Sequence, residues 1–78
     1  MRRVVLYTRE GCGLCETAKR VVLAERERNP FELEEIDVEG RDDLEMEYGV
    51  RIPVVLVDGV ELFELVVDPD ALARALTD

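Results

Sequence analysis

Cys12 and Cys15 are the only cysteines in the chain, and Cys12-Gly13-Leu14-Cys15 is the one constellation in it with chemical content. Two thiols so spaced can brace a fold as a disulfide, supply part of a metal site, or exchange electrons with a foreign disulfide. A bridge between them closes too short a loop to constrain the unfolded chain much, and a reducing cytosol would not preserve it. A tetrahedral metal site needs four ligands, and two cysteines with no histidine cannot close one within a single chain. Exchange is the reading that the position of the pair favours, directly after a buried strand and at the start of a helix, over a metal shared with a second chain or exogenous thiols and over an inert pair. It needs one accessible, readily ionised thiol to attack a disulfide and a second within reach to resolve the mixed disulfide that forms.

The elements on either side of the pair suit that division of labour. Arg3-Val4-Val5-Leu6-Tyr7-Thr8 is β-branched, aliphatic and aromatic without a break, which predicts a strand buried on both faces. Glu10 to Gly13 form a glycine-flanked loop, and from Leu14 the apolar residues Leu14, Ala18, Val21 and Val22 mark one face of a helix that ends near Asn29, before Pro30. Leu23 lies on the opposite, exposed side. Cys12 therefore stands at a helix N-terminus, where unpaired backbone N–H groups and the positive end of the dipole stabilise a thiolate. Cys15 lies one turn in and borders the buried stripe, so Cys12 is expected to attack and Cys15 to resolve. Gly11 and Gly13 allow close approach of a substrate backbone, with Leu14 between the two thiols. Glu10 and Glu16 flank the motif and oppose the thiolate.

Downstream, Phe31 to Val38 alternates imperfectly and slips phase at Glu34-Glu35, as an edge strand or a bulged one would. Asp42 followed by Glu45 resembles a capping box, with Gly49 as a stop, which predicts a short helix from Asp43 to Tyr48 with Leu44 and Tyr48 inward. Ile52 to Val57 reads as a strand, Asp58-Gly59 as a two-residue hairpin turn, and Val60 to Val66 as the returning strand. Asp68 caps a last helix with Pro69 in its first position and Ala71, Leu72, Ala75 and Leu76 inward. The order is β-α-β-α-β-β-α. It predicts an α/β fold with a four-stranded mixed sheet, the first two strands parallel and the last two antiparallel, and helices on both faces.

Composition narrows the partners. Seventy-eight residues suffice for one domain, spanning 1–78, and 47% hydrophobic content lies in the globular range. Ten basic against nineteen acidic residues give a net charge of -9, which repels phosphate backbones and anionic lipid. No nucleic acid is expected as partner. Apolar runs reach only four residues, as at Val54 to Val57, against the ~20 needed to cross a bilayer, and the stretch behind Met1-Arg2-Arg3 stops at Thr8-Arg9-Glu10. A cytoplasmic monomer is expected.

The run Leu6 to Cys15, followed by Ile52-Pro53-Val54, resembles the glutaredoxin branch of the thioredoxin superfamily over nearly the whole chain. The small bacterial glutaredoxin-like proteins are similar through Tyr48 to Val54 and through the Asp58-Gly59 hairpin leading to Glu61-Leu62-Phe63. The resemblance implies a thioredoxin-like fold and a dithiol–disulfide oxidoreductase acting on protein disulfides without a bound cofactor, reduced in turn by glutathione or by thioredoxin reductase. It also implies that Pro53 is a cis-proline facing the cysteines, with the Ile52 backbone pairing to an extended substrate. Arg9 matches a basic residue used toward glutathione, and Asp68 is placed to meet its amino group. Gly13-Leu14 departs from the usual Pro-Tyr, and Val66-Val67 stands where many glutaredoxins have Gly-Gly, which implies weak use of glutathione. The rival from another class is a non-catalytic thioredoxin-fold module that binds a partner beside Pro53 or senses redox state.

Overall fold

A computed structural model describes residues 1–77. The elements run β1 (Arg3–Thr8), α1 (Gly13–Arg28), β2 (Glu32–Asp37), α2 (Asp42–Tyr48), β3 (Val54–Val57), β4 (Val60–Glu64) and α3 (Pro69–Thr77), in the order that the sequence predicts. One four-stranded sheet has the order β2-β1-β3-β4. β1 runs parallel to β2 and antiparallel to β3, and β3 pairs antiparallel with β4. The sheet is therefore mixed.

Strand alternation divides the core. Val4 and Leu6 of β1 point to one face and are fully shielded, packed with Ala18 and Val22 of α1 and Leu72 of α3 in the main cluster. Tyr7 points to the other face, where its ring stacks on Tyr48 of α2 with centroids 4.1 Å apart. Helices thus cover both faces. Each fully buried Val or Leu contributes about 1.5–3 kcal/mol. β1 lies inside the sheet with both edges paired, and its second face, with Val5 and Tyr7, is half-buried and not fully buried as the sequence predicts.

Several local expectations are corrected. Leu14 is 50% exposed, and the buried stripe of α1 runs instead through Cys15, Ala18, Val22 and Glu25. Leu14 occupies the first turn, at the open end of the helix, where angular position alone does not guarantee cover. The phase slip in β2 produces no bulge: its register with β1 is continuous from Arg3–Glu32 to Thr8–Asp37. Leu33 and Ile36, three apart, simply face opposite sides of an edge strand. The bulge lies elsewhere, in β4, where Phe63 pairs with Val55 and Glu61 with Leu56, leaving Leu62 unmatched.

The caps and strand ends also shift. Asp42 is the first helical residue of α2, not its cap; Arg41 holds the cap position and makes no side-chain capping bond. Asp42, Asp43 and Glu45 favour this helix instead through the charge they set at its positive end. β3 begins at Val54 and not at Ile52, because Pro53 has no N–H for the ladder. β4 ends at Glu64 because Leu65 turns to φ 68, and its N–H is shared between the carbonyls of Arg51 and Pro53. The hairpin turn and the last cap stand as read: Asp58 and Gly59 have φ 50 and 84, and Asp68 Oδ1 accepts the Asp70 N–H at 3.0 Å.

Candidate functional site

β1 delivers the chain to the site and a turn reverses it. The Cys12 N–H meets the Arg9 carbonyl at 3.4 Å, and Gly11 between them has φ 80, a conformation costly for residues with a Cβ. Cys12 is the N-cap of α1, in extended geometry, and its Sγ accepts the Cys15 N–H at 3.2 Å. A sulfur thus fills the place that a Ser or Asp oxygen usually takes at a helix start. Cys12 is half-buried and Cys15 is 3% exposed; both are free thiols. Burial pushes the Cys15 thiol up from its ordinary 9.0, and its hydrogen bond with Cys12 adds to the rise, against opposing contributions from Thr8 and the Arg9 backbone.

A second apolar cluster surrounds the pair. Cys15, Val38 and Ile52 form its buried part, with Cys12, Tyr7, Leu44 and Tyr48 packed against it. The fold thereby brings Ile52, forty residues away in sequence by subtraction of 12 from 52, beside both thiols. Pro53, fully buried, follows through the cis bond. Gly11 and Gly13 are exposed on either side of Cys12, and Leu14 projects outward between the cysteines.

Two expected site residues are engaged elsewhere. Arg9 is ion-paired to Glu45 of α2 at 3.0 Å. Asp68 holds the N-terminus of α3 through the Asp70 and Ala71 amides. Of the Val66-Val67 pair, only Val66 presents its side chain, being 68% exposed, whereas Val67 is 5% exposed within the main core.

Sequence reasoning missed Arg51. Its guanidinium bonds the Glu47 carbonyl at 2.9 Å, pairs with Glu61 and Glu64 of β4, and lies 5.4 Å from the centre of the Tyr48 ring. It ties α2 to β4 immediately before Ile52-Pro53. An arginine between Val50 and Ile52 carries no pattern from which these partners could be read, since they come from two other elements.

A cavity of about 200 Å³ adjoins Cys15 between Arg9 and Lys19. A larger one, about 540 Å³, lies by Leu23 and Phe31 at the other end of α1 and touches none of the candidate residues. Among the described residues no group of three or more His, Cys, Asp or Glu side chains is placed to hold a metal ion.

With this geometry in view, residues 3–77 match the family model described as Glutaredoxin-like domain (DUF836). The chain belongs to the glutaredoxin-like domain family. A Dictyostelium discoideum relative described as a glutaredoxin-like protein is 31% identical over 72 residues, covering 85% of this chain and 67% of its own length. The solution structure of protein Ne2328 from Nitrosomonas europaea superposes with a TM-score of 0.84 at 33% identity, over 97% of this chain and 92% of that one. A mutant thioredoxin from Halobacterium salinarum NRC-1 superposes with a TM-score of 0.70 at 29% identity, over 96% and 71%. This glutaredoxin-like domain has the thioredoxin fold, and it spans about two thirds of the length of the curated relatives it matches.

Proposed function

We propose that this glutaredoxin-like domain is a dithiol–disulfide oxidoreductase acting on protein disulfides. The observation that carries the reading is the N-cap geometry, with the Cys12 sulfur at a helix start receiving the Cys15 N–H at 3.2 Å. The hydrogen bond holds the half-buried sulfur in place at the helix start, where an arriving disulfide can reach it. The Cys12 thiolate adds to one sulfur of the substrate disulfide and expels the other as a thiolate. Cys15 then loses its proton to solvent and attacks Cys12 Sγ, releasing the second substrate thiol and leaving a Cys12–Cys15 disulfide. Two electrons have passed to the substrate. A dithiol reductant, or two equivalents of glutathione, returns them.

The roles of the surrounding residues follow from their places. Gly11, Gly13 and Leu14 adjoin Cys12 in the chain and are assigned to one side of the approach, and Ile52, packed in the cluster of the two thiols, is assigned to the other together with Pro53. No helix among the described residues is long and apolar enough to cross a membrane, and we place the protein in the cytoplasm, where free thiols persist.

Trapping tests the reading. Cys15→Ser, which cannot resolve, should accumulate a mixed disulfide with a protein disulfide substrate, seen by non-reducing mass spectrometry, and Cys12→Ser should not. Wild-type protein coupled to a reductant should turn over many equivalents. Stoichiometric oxidation without turnover would instead favour a redox-sensing module.

A further inference from the structure

We infer that Glu45 sets the charge specificity of this site, so that it accepts cationic disulfides and rejects anionic ones such as those of glutathione. The inference rests on the oxidoreductase reading and names the substrate class. Its starting point is the loop that presents the nucleophile. Arg9 is the cation on that loop, and its carbonyl accepts the Cys12 N–H, so its side chain leaves from the turn that places the sulfur. An unengaged guanidinium there would receive the carboxylates of an arriving anion. Glu45 holds it instead, at 3.0 Å, with both side chains about one-third exposed. The pair need not be tight to matter: a carboxylate fixed on α2 within reach of Arg9 cancels its field whether or not the bond is momentarily closed.

What remains beside Cys15 is negative. The cavity beside Cys15 is lined by the carboxylates of Glu10, Glu16, Glu35 and Asp37 and by the cations Arg9 and Lys19. Lys19 is itself paired, to Glu35 at 3.3 Å. Glu10, Glu16 and Asp37 take part in no ion pair among the described residues. Both cations on that wall are thus neutralised and three carboxylates are left over, within a chain of net charge -9. A low-dielectric cleft lined by one sign of charge concentrates ligands of the opposite sign.

Two small disulfides separate charge from every other feature: cystamine, with two ammonium groups, and dithiodiglycolate, with two carboxylates. Each reaction oxidises the Cys12–Cys15 pair by two electrons and releases two probe thiols. Rate constants for the reduced protein are measured in single turnover and divided by those of dithiothreitol with the same probe. At low salt the cation should be favoured by about tenfold, and the ratio should fall toward one at ~0.5 M salt. Glu45→Gln should raise the anion's rate at least about threefold, and adding Arg9→Gln should abolish that gain, because released Arg9 is its source. Glu27→Gln removes an equal charge twelve residues beyond Cys15 on α1, ~18 Å away, and should leave the ratio at ~0.1 M salt unchanged, since that distance exceeds the ~10 Å screening length there.

Equal wild-type rates for the two probes, a preference for the anion, or equal effects of Glu45→Gln and Glu27→Gln would each overturn the inference and leave the oxidoreductase reading intact. Failure of the reduced protein to react with either probe would overturn both. Circular dichroism of each variant establishes that the compared chains are folded.

Discussion

The backbone N–H of Cys15 points at the sulfur of Cys12 across 3.2 Å, so the buried cysteine supports the exposed one before any bond joins them. The relationship is asymmetric. Cys12 receives a donor and stands half-open, while Cys15 gives its amide away and keeps its own thiol in a buried cluster.

This asymmetry predicts unequal alkylation. At pH 7.5 iodoacetamide should modify Cys12 at least about tenfold faster than Cys15, since Cys15 combines a raised thiol pKa with 3% exposure. The gap should narrow as pH climbs past 9.0, where the Cys15 thiolate begins to form. Peptide mapping after short labelling pulses reads both rates. Equal rates at pH 7.5 would remove the basis for assigning Cys12 as the nucleophile.

The same shift predicts an alkaline limb in the stability of the reduced protein. Folded Cys15 holds its proton more tightly than unfolded Cys15, so it contributes stability that is fully present below the ordinary thiol value of 9.0 and is lost as pH rises through the raised folded value. Tyr48, raised by burial and then by Tyr7, adds a similar loss only above its ordinary 10.0. Between pH 9 and 10 the fall should therefore belong mainly to Cys15. Urea melts in reductant should show Cys15→Ala losing less stability over that interval than wild type; parallel curves would assign the limb to other groups.

Much of this architecture was legible because local and global preferences agree. The unbroken Val4-Val5-Leu6-Tyr7 run becomes the central strand β1, Asp58-Gly59 makes its hairpin, and Asp68 caps α3. The misreadings fall where the deciding partner is distant in sequence. Leu14 lies by angle only at the margin of the buried face of α1, and in that first turn it is Cys15 that the fold covers. The Asp42-Glu45 spacing suits a capping box, but the helix starts one residue earlier. In the sequence Glu45 figures only in that box; nothing there joins it to Arg9, and the ion pair accompanies the stacking of Tyr48 of α2 on Tyr7 near the end of β1. The cysteine pair itself was plain, and its neighbour Ile52 came through resemblance and not through periodicity.

Val66 and Val67 supply the last prediction, since the sequence treats them alike and the structure does not. Val67 is 5% exposed and packs in the main core with Val22 and Leu72, whereas Val66 is 68% exposed. Removing the Val67 side chain uncovers apolar surface and loosens the backbone, a loss of about 2–4 kcal/mol that should lower Tm by ten degrees or more in a chain this size. Val66→Gly loses little packing and should melt within about 1 kcal/mol of wild type. Only Val66→Gly can therefore ask whether a β-branched side chain hinders glutathione. Wild type should reduce a glutathionylated peptide weakly, and Val66→Gly should raise kcat/KM modestly at unchanged Tm, while Val67→Gly loses activity together with its fold. Thermal melts and a glutathione-reductase-coupled assay measure both quantities on the same samples. A Val67→Gly protein melting with wild type would contradict its place in the core, and unchanged kcat/KM in folded Val66→Gly would show that bulk at this position does not limit glutathione.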